Sequence, residues 1–198
     1  MSKRLFDWVM SSLGLLALGP LLILIALAVK LDSPGPVFFR QERVGRFGVP
    51  FRIHKFRTMR HDPAGSGLQI TVGADRRITR VGQFLRGSKL DELPQLIDVW
   101  QGTMSLVGPR PEVPRYVAHY PAALRDKVLS VRPGITDIAS IEYRDESAVL
   151  ARAADPERAY IDEVLPHKLA LAASYVDQAS VWLDVRLIIR TIVAIVRS

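Results

Sequence analysis

Between Asp7 and Lys30 the chain carries no charged side chain, and the 22 residues from Trp8 to Val29 are mostly Leu, Ile, Val and Ala. As one unbroken helix they extend about 33 Å, close to the ~30 Å hydrocarbon thickness of a bilayer, which predicts a membrane contact. A secretory signal peptide is the first rival, but the run outlasts a usual signal core and no small-x-small cleavage site follows it. Gly19-Pro20 sits in the middle. Proline has no amide hydrogen and its ring crowds the carbonyl of Leu16, so a kink is expected. Each half, Trp8 to Leu18 and Leu21 to Val29, has only about half the length a crossing needs. Lys3 and Arg4 precede the run, and Lys30, Arg40, Arg43 and Arg46 follow it. The positive-inside tendency then puts both ends on the cytoplasmic face. The expectation is a re-entrant helical hairpin, with a kinked single span as the alternative. The turn formers Asp32-Ser33-Pro34-Gly35-Pro36 end it, which divides the chain into an embedded anchor at 1–32 and a cytosolic-face domain at 33–198.

The chain as a whole is long enough for one core: 198 residues, 48% hydrophobic. It has no cysteine, which excludes a disulfide scaffold and any Cys-ligated metal. The net charge of +7 lies entirely in the first half, where residues 1–100 hold 15 basic and 8 acidic groups against 12 of each in 101–198. Such a surface favours phosphates on lipids, nucleotides or nucleic acid. Zinc-finger spacing, RNP-like motifs and a recognition helix are all missing from the sequence, so no nucleic-acid partner is expected.

Val37 to Arg40 and Phe51 to Phe56 read as short strands around a glycine-containing turn at Gly45 to Gly48, a β-hairpin. From Arg40 to Arg60 seven basic residues face one acid, Glu42. Most of these suit a solvated face beside anionic headgroups. Lys55 and Arg57 alternate around Phe56 and so project on one side of a strand toward a common anion. Residues 61–75 are Gly-rich and polar, a loop over whatever lies beneath. Leu90, Leu93, Leu96, Ile97 and Trp100 recur at helical spacing after Ser88, with Pro94 in or near the first turn. This puts Asp91 and Glu92 at a helix N-terminus. Two readings stand there: a dipole-facing cap, with Ser88 and Asp91 as a capping box, or a carboxylate nucleophile toward phosphorus with its neighbour assisting.

The surrounding motifs bear on that choice. Leu90-Asp91-Glu92-Leu93-Pro94-Gln95 is preceded by Lys55-Phe56-Arg57-Thr58-Met59 and followed by Met104-Ser105-Leu106-Val107-Gly108-Pro109-Arg110-Pro111. With the anchor and the Lys3-Arg4-Leu5-Phe6-Asp7 opening, they resemble the bacterial sugar transferase family, the monotopic phosphoglycosyl transferases, over nearly the whole chain. The resemblance implies an α+β, mostly helical fold on the cytosolic face of the bacterial cytoplasmic (inner) membrane. It implies transfer of a phospho-sugar from a UDP-sugar to a membrane polyprenol phosphate, with release of UMP. By motif match Asp91 looks like the nucleophile that forms a covalent phospho-sugar intermediate, and Glu92 like its partner. A divalent cation, Mg²⁺ or Mn²⁺, held through Asp91, would neutralise the diphosphate. Lys55, Arg57, Arg86, Arg110 and Pro111 make up the expected phosphate-binding set, Arg110 being held between Pro109 and Pro111 for two-pronged contact.

Three positions depart from the family pattern. Gly19-Pro20 stands where many members carry Ser-Pro, Pro133-Gly134-Ile135-Thr136 continues into Asp137-Ile138-Ala139-Ser140, and Ala172 stands where an acid is common. Asp145 or Glu146 is a candidate replacement for that acid.

From Trp182 to Val196 most residues are aliphatic, yet Arg186, Arg190 and Arg197 fall within about 40° of one another at 100° per residue. This suits an amphipathic helix at the membrane interface, or a core helix with one exposed edge. An exposed interfacial helix also leaves room for a homodimer. Two rival functions remain: a conventional sugar-only glycosyltransferase, against which no Asp-x-Asp occurs, and a non-catalytic basic membrane scaffold.

Overall fold

Ser2 opens the first helix by accepting the Leu5 amide, and α1 then runs from Lys3 to Asp32. The computed structural model describes residues 2–60, 75, 77–142 and 150–196. The helix continues through Gly19 and Pro20 and stops at Ser33, whose extended backbone is what a following proline favours. The expected halves are therefore not separate helices. By length and composition α1 could cross a membrane.

The hairpin forms in two ladders rather than one. β1 (Phe38–Phe39) pairs antiparallel with β4 (Lys55–Phe56), and β2 (Glu42–Val44) with β3 (Pro50–Arg52). Between them the Gln41 carbonyl accepts the Ile53 amide, and the first arm continues to Val44, beyond the expected end at Arg40. A 3₁₀ turn at Arg46–Gly48 closes the tip, with Phe47 at φ 58.

Thr79 caps α2 (Arg80–Gly87) by accepting the Gly82 amide at 3.0 Å. A 3₁₀ turn at Leu90–Glu92 follows, then α3 (Gln95–Gln101), which Gly102 ends at φ 90. Next come β5 (Ser105–Val107), α4 (Pro114–Val117), α5 (Ala122–Val128), β6 (Gly134–Thr136) and α6 (Ile138–Glu142). After 143–149 the chain forms α7 (Pro156–Ala159), a π turn at Tyr160–Val164, α8 (Leu165–Gln178) and α9 (Val181–Val196). The strands β5 and β6 pair in parallel, and a Cβ on Gly134 would lie 2.1 Å from the Gly108 nitrogen, so only glycine permits that approach.

One core gathers Val113, Tyr116, Leu150, Tyr160, Leu165 and Leu169 around α8. Ala172 belongs to this apolar cluster, and the side chains proposed to replace its acid, Asp145 and Glu146, lie outside the described residues, as do Arg197 and nearly all of the 61–75 loop. In α9, Asp184 and Leu187 are buried while Trp182, Arg186, Ile189, Arg190 and Ile192 are exposed, an apolar outer face edged by two arginines.

Contacts near both ends of α1 reach the same body of protein. Near its start, Lys3 Nζ lies 2.5 Å from the buried Asp184 of α9, Arg4 donates to the Val99 and Trp100 carbonyls, and buried Asp7 accepts the Leu106 amide at 3.2 Å. At its end, Asp32 accepts the Val81 amide of α2, and Ile25 and Val29 pack with Phe56 and Leu85. The Lys3-Arg4-Leu5-Phe6-Asp7 opening is thus a docking device that ties the apolar helix to α3, β5 and α9. On the outward side Leu13, Leu16, Ile23, Leu24 and Leu27 are each more than half exposed.

Candidate active site

Asp91 and Glu92 lie on the 3₁₀ turn before α3 rather than in its first turn, and Pro94 takes the cap position of that helix. The capping box between Ser88 and Asp91 does not form, because the Ser88 hydroxyl turns back to the Phe84 and Leu85 carbonyls at the end of α2. Lys89 makes the corner. Its φ of 58 is rare for a residue with a side chain, and it swings the acidic pair away from the α2 axis.

Lys55 reaches the pair from β4, with Nζ 2.8 Å from Asp91 Oδ2 and 3.4 Å from Glu92 Oε1. Arg110 closes on Glu92 from the other side, its NH2 at 2.8 Å from Oε1. Burial pushes Glu92 up, but Arg110 and then Lys55 outweigh it and hold its carboxyl well below the usual carboxylate range. Glu92 in turn raises Arg110 against the opposing effect of burial. Desolvation lowers Lys89, Arg110 and Lys55 lower it further, and Glu92 and Asp91 oppose them. Asp91 is 2% exposed, and its Oδ1 is buried without a hydrogen-bond partner. A bare buried carboxylate oxygen is expensive unless something binds it, so it marks where a ligand atom belongs.

The structure brings together Lys55, Asp91, Glu92 and Arg110, and it does not bring Arg57 to them. Arg57 is buried and donates to the Val29, Ser33 and Pro34 carbonyls, closing the C-terminal end of α1. The expected common anion of Lys55 and Arg57 is replaced by two separate tasks: one cation serves the carboxylates and one the anchor. Arg86 lies on α2, half-buried, with no side-chain hydrogen bond or ion pair among the described residues. Pro111 is buried and offers no N–H; its carbonyl accepts from Arg43 at 2.9 Å, so it shapes the Arg110 loop from behind.

Three supports were not foreseen. Asp98 accepts the His54 amide at 2.8 Å and faces His54 Nδ1 at 2.7 Å, while Arg40 approaches Nε2. Arginine can only donate, so Nε2 accepts and the ring proton goes to Asp98. This clamp fixes β4 against α3 and thereby Lys55 against Asp91. Asp137 holds the Arg110 amide at 3.3 Å and caps α6 through the Ser140 amide, which gives a task to the unusual segment after Thr136. Glu112 accepts from Tyr160 at 2.7 Å with Lys168 at 3.6 Å, anchoring the same loop to α8. Only the polar residue types were visible in the sequence, because each partner lies dozens of positions away.

Among the described residues no three acidic or histidine side chains cluster as a metal cage. Mg²⁺ usually takes one or two carboxylates and completes its shell with substrate phosphates and water, so the Asp91 carboxylate, whose protein partners leave lone pairs free, fits such an ion without a cage.

An apolar helix long enough to cross a membrane thus docks on the body that holds a buried acidic pair bridged by lysine and arginine. The chain belongs to the bacterial sugar transferase family, whose profile matches residues 1–198. It is 40% identical over 98% of its length to the UDP-glucose:undecaprenyl-phosphate glucose-1-phosphate transferase of Xanthomonas campestris pv. campestris, and spans 38% of that protein. A protein of the same name in Caulobacter vibrioides is 37% identical, with 96% of this chain and 68% of that one covered. The exopolysaccharide production protein PSS of Rhizobium leguminosarum bv. phaseoli is 38% identical, with 97% and 94% covered.

Proposed function

We propose that the chain transfers a sugar phosphate from a UDP-sugar to a membrane polyprenol phosphate through an aspartyl intermediate. The bare, buried Oδ1 of Asp91, beside an Oδ2 neutralised by Lys55, carries this reading. Oδ1 attacks the sugar-linked phosphorus, the bond to the bridging oxygen breaks, and UMP leaves with its electron pair. A phosphate oxygen of the polyprenol then attacks the same phosphorus, and the Asp91 carboxylate is regenerated. Arg110, about a third exposed and oriented by Glu92, binds phosphate, and Arg86 supplies a second guanidinium. Mg²⁺ or Mn²⁺ held at Asp91 would neutralise the diphosphate.

The reaction needs both a soluble donor and a lipid acceptor, and the docking of α1 supports a site at the cytosolic face of the bacterial inner membrane. Thirty residues of helix measure about 45 Å, and contacts near both ends serve one body, which supports entry from one face over crossing as a straight rod. The exposed apolar side of α9, with Arg186 and Arg190, supports an interfacial position for that helix and offers a surface for a homodimer.

The test is to incubate the detergent-solubilised chain with UDP-sugars, polyprenol phosphate and Mg²⁺ and identify the released nucleotide. UMP is expected. Release of UDP would mean sugar-only transfer, and full turnover by Asp91→Asn would remove the nucleophile.

A further inference from the structure

Between α1, the first strand ladder and the start of α3 lies an apolar cavity of about 200 Å³. Ile23 and Ala26 line it from α1, Phe38 and Phe56 from the paired strands, and Pro94 and Ile97 from the acidic-pair side. Its lining exposes no polar surface. A void of this chemistry is not a water site, and an engineered apolar cavity of about 150 Å³ already holds benzene. Its position is specific. Phe56 follows Lys55, the cation on Asp91, and Pro94 stands three residues after Asp91, so one wall is a chain neighbour of that cation and another of the carboxylate itself. Its α1 wall includes Ile23, which is 63% exposed on the helix expected to meet lipid.

We infer that this cavity receives the first isoprene units of the acceptor, holding the polyprenol chain so that its phosphate emerges beside Asp91. The inference rests on the proposed reaction for the acceptor's identity. It also gives the site two sides: the apolar side at Phe56 and Pro94 for the lipid, and the Arg110 side for the nucleotide sugar. A chain seated here enters laterally past Ile23, without its hydrocarbon leaving the apolar phase. The charged end alone must meet Lys55.

Two measurements on the full detergent-solubilised chain test it: equilibrium dialysis with geranyl phosphate, and the UMP burst from UDP-glucose without acceptor. Ala26→Phe fills the cavity and is expected to weaken geranyl phosphate binding about tenfold or more while leaving the burst intact. Ile97→Ala strips contacts from the opposite wall and is expected to weaken binding about fivefold, which keeps the test decisive if the larger side chain disturbs folding. Unchanged binding in a folded variant overturns the subsite, whatever the burst shows. A wild-type chain that gives no burst, but whose geranyl phosphate binding still falls with cavity filling, supports the subsite while the reaction reading fails. Displacement of geranyl phosphate by an equal concentration of dihexanoyl phosphatidylglycerol assigns the cavity to phospholipid chains and overturns the inference.

Discussion

Lys55 Nζ lies 2.8 Å from Asp91 Oδ2, while Asp91 Oδ1 is buried with no hydrogen-bond partner. One oxygen of the carboxylate is neutralised and the other carries no partner, and in the proposed reaction it is the oxygen that attacks phosphorus. This asymmetry separates the site from an ordinary buried ion pair, in which both oxygens would be bonded.

Lys55→Met should therefore slow the first half-reaction more than it disturbs folding. Loss of a charge-assisted bond to a buried carboxylate corresponds to about 10- to 100-fold in rate. Rapid-quench measurement of UMP release without acceptor checks it, and a rate within twofold of wild type would deny Lys55 that role.

The Glu92–Arg110 pair has a predictable acid response. Glu92 is held well below its unfolded value, so the pair's stabilisation is complete above about pH 4.3 and is lost as pH falls through the lower, folded value. Arg110→Met should lower stability by about 1–3 kcal/mol at pH 7, between surface and buried pairs because Arg110 is about a third exposed. Thermal unfolding as a function of pH should show the gap between wild type and variant narrowing below about pH 4.3. A gap that widens with acid contradicts the pairing.

Arg57 is expected to behave as part of the anchor. Arg57→Met leaves three carbonyls at the end of α1 without their donors, a loss of about 2–4 kcal/mol. The apparent affinity for the donor should stay unchanged where protein remains folded. A raised donor KM with unaltered thermal stability would return Arg57 to the phosphate site.

Two glycines should respond in opposite ways. A Cβ at Gly82 would meet the Thr58 carbonyl oxygen at 2.0 Å, so Gly82→Ala must push α2 away from the backbone at Thr58 and lower the unfolding temperature. A Cβ at Gly19 meets nothing within 4 Å, so Gly19→Ser should be tolerated within about 0.5 kcal/mol. Equal effects at the two positions would contradict this packing.

What the sequence disclosed depended on range. The uncharged run predicted α1, the glycine turn predicted the hairpin, and the Leu90 to Gln95 motif pointed to Asp91 and Glu92. Local spacing could not show that Lys89 adopts a positive φ, since lysine carries no signal for it, and so the acidic pair was expected in a helix rather than on its own 3₁₀ turn. Strand alternation put Lys55 and Arg57 on one anion. The end of α1 claimed Arg57 instead, because unpaired carbonyls at a helix terminus attract a guanidinium. The His54–Asp98 clamp spans 44 positions and the Arg110–Asp137 contact 27, and no periodicity joins residues so far apart.

The most direct test of the central claim is intact-protein mass analysis after brief exposure to UDP-glucose and Mg²⁺ without acceptor, followed by peptide mapping. The account predicts a mass increase of one sugar phosphate, mapped to Asp91 and removed on adding polyprenol phosphate. UMP release with no adduct at Asp91, or an adduct that persists in Asp91→Asn, would contradict it.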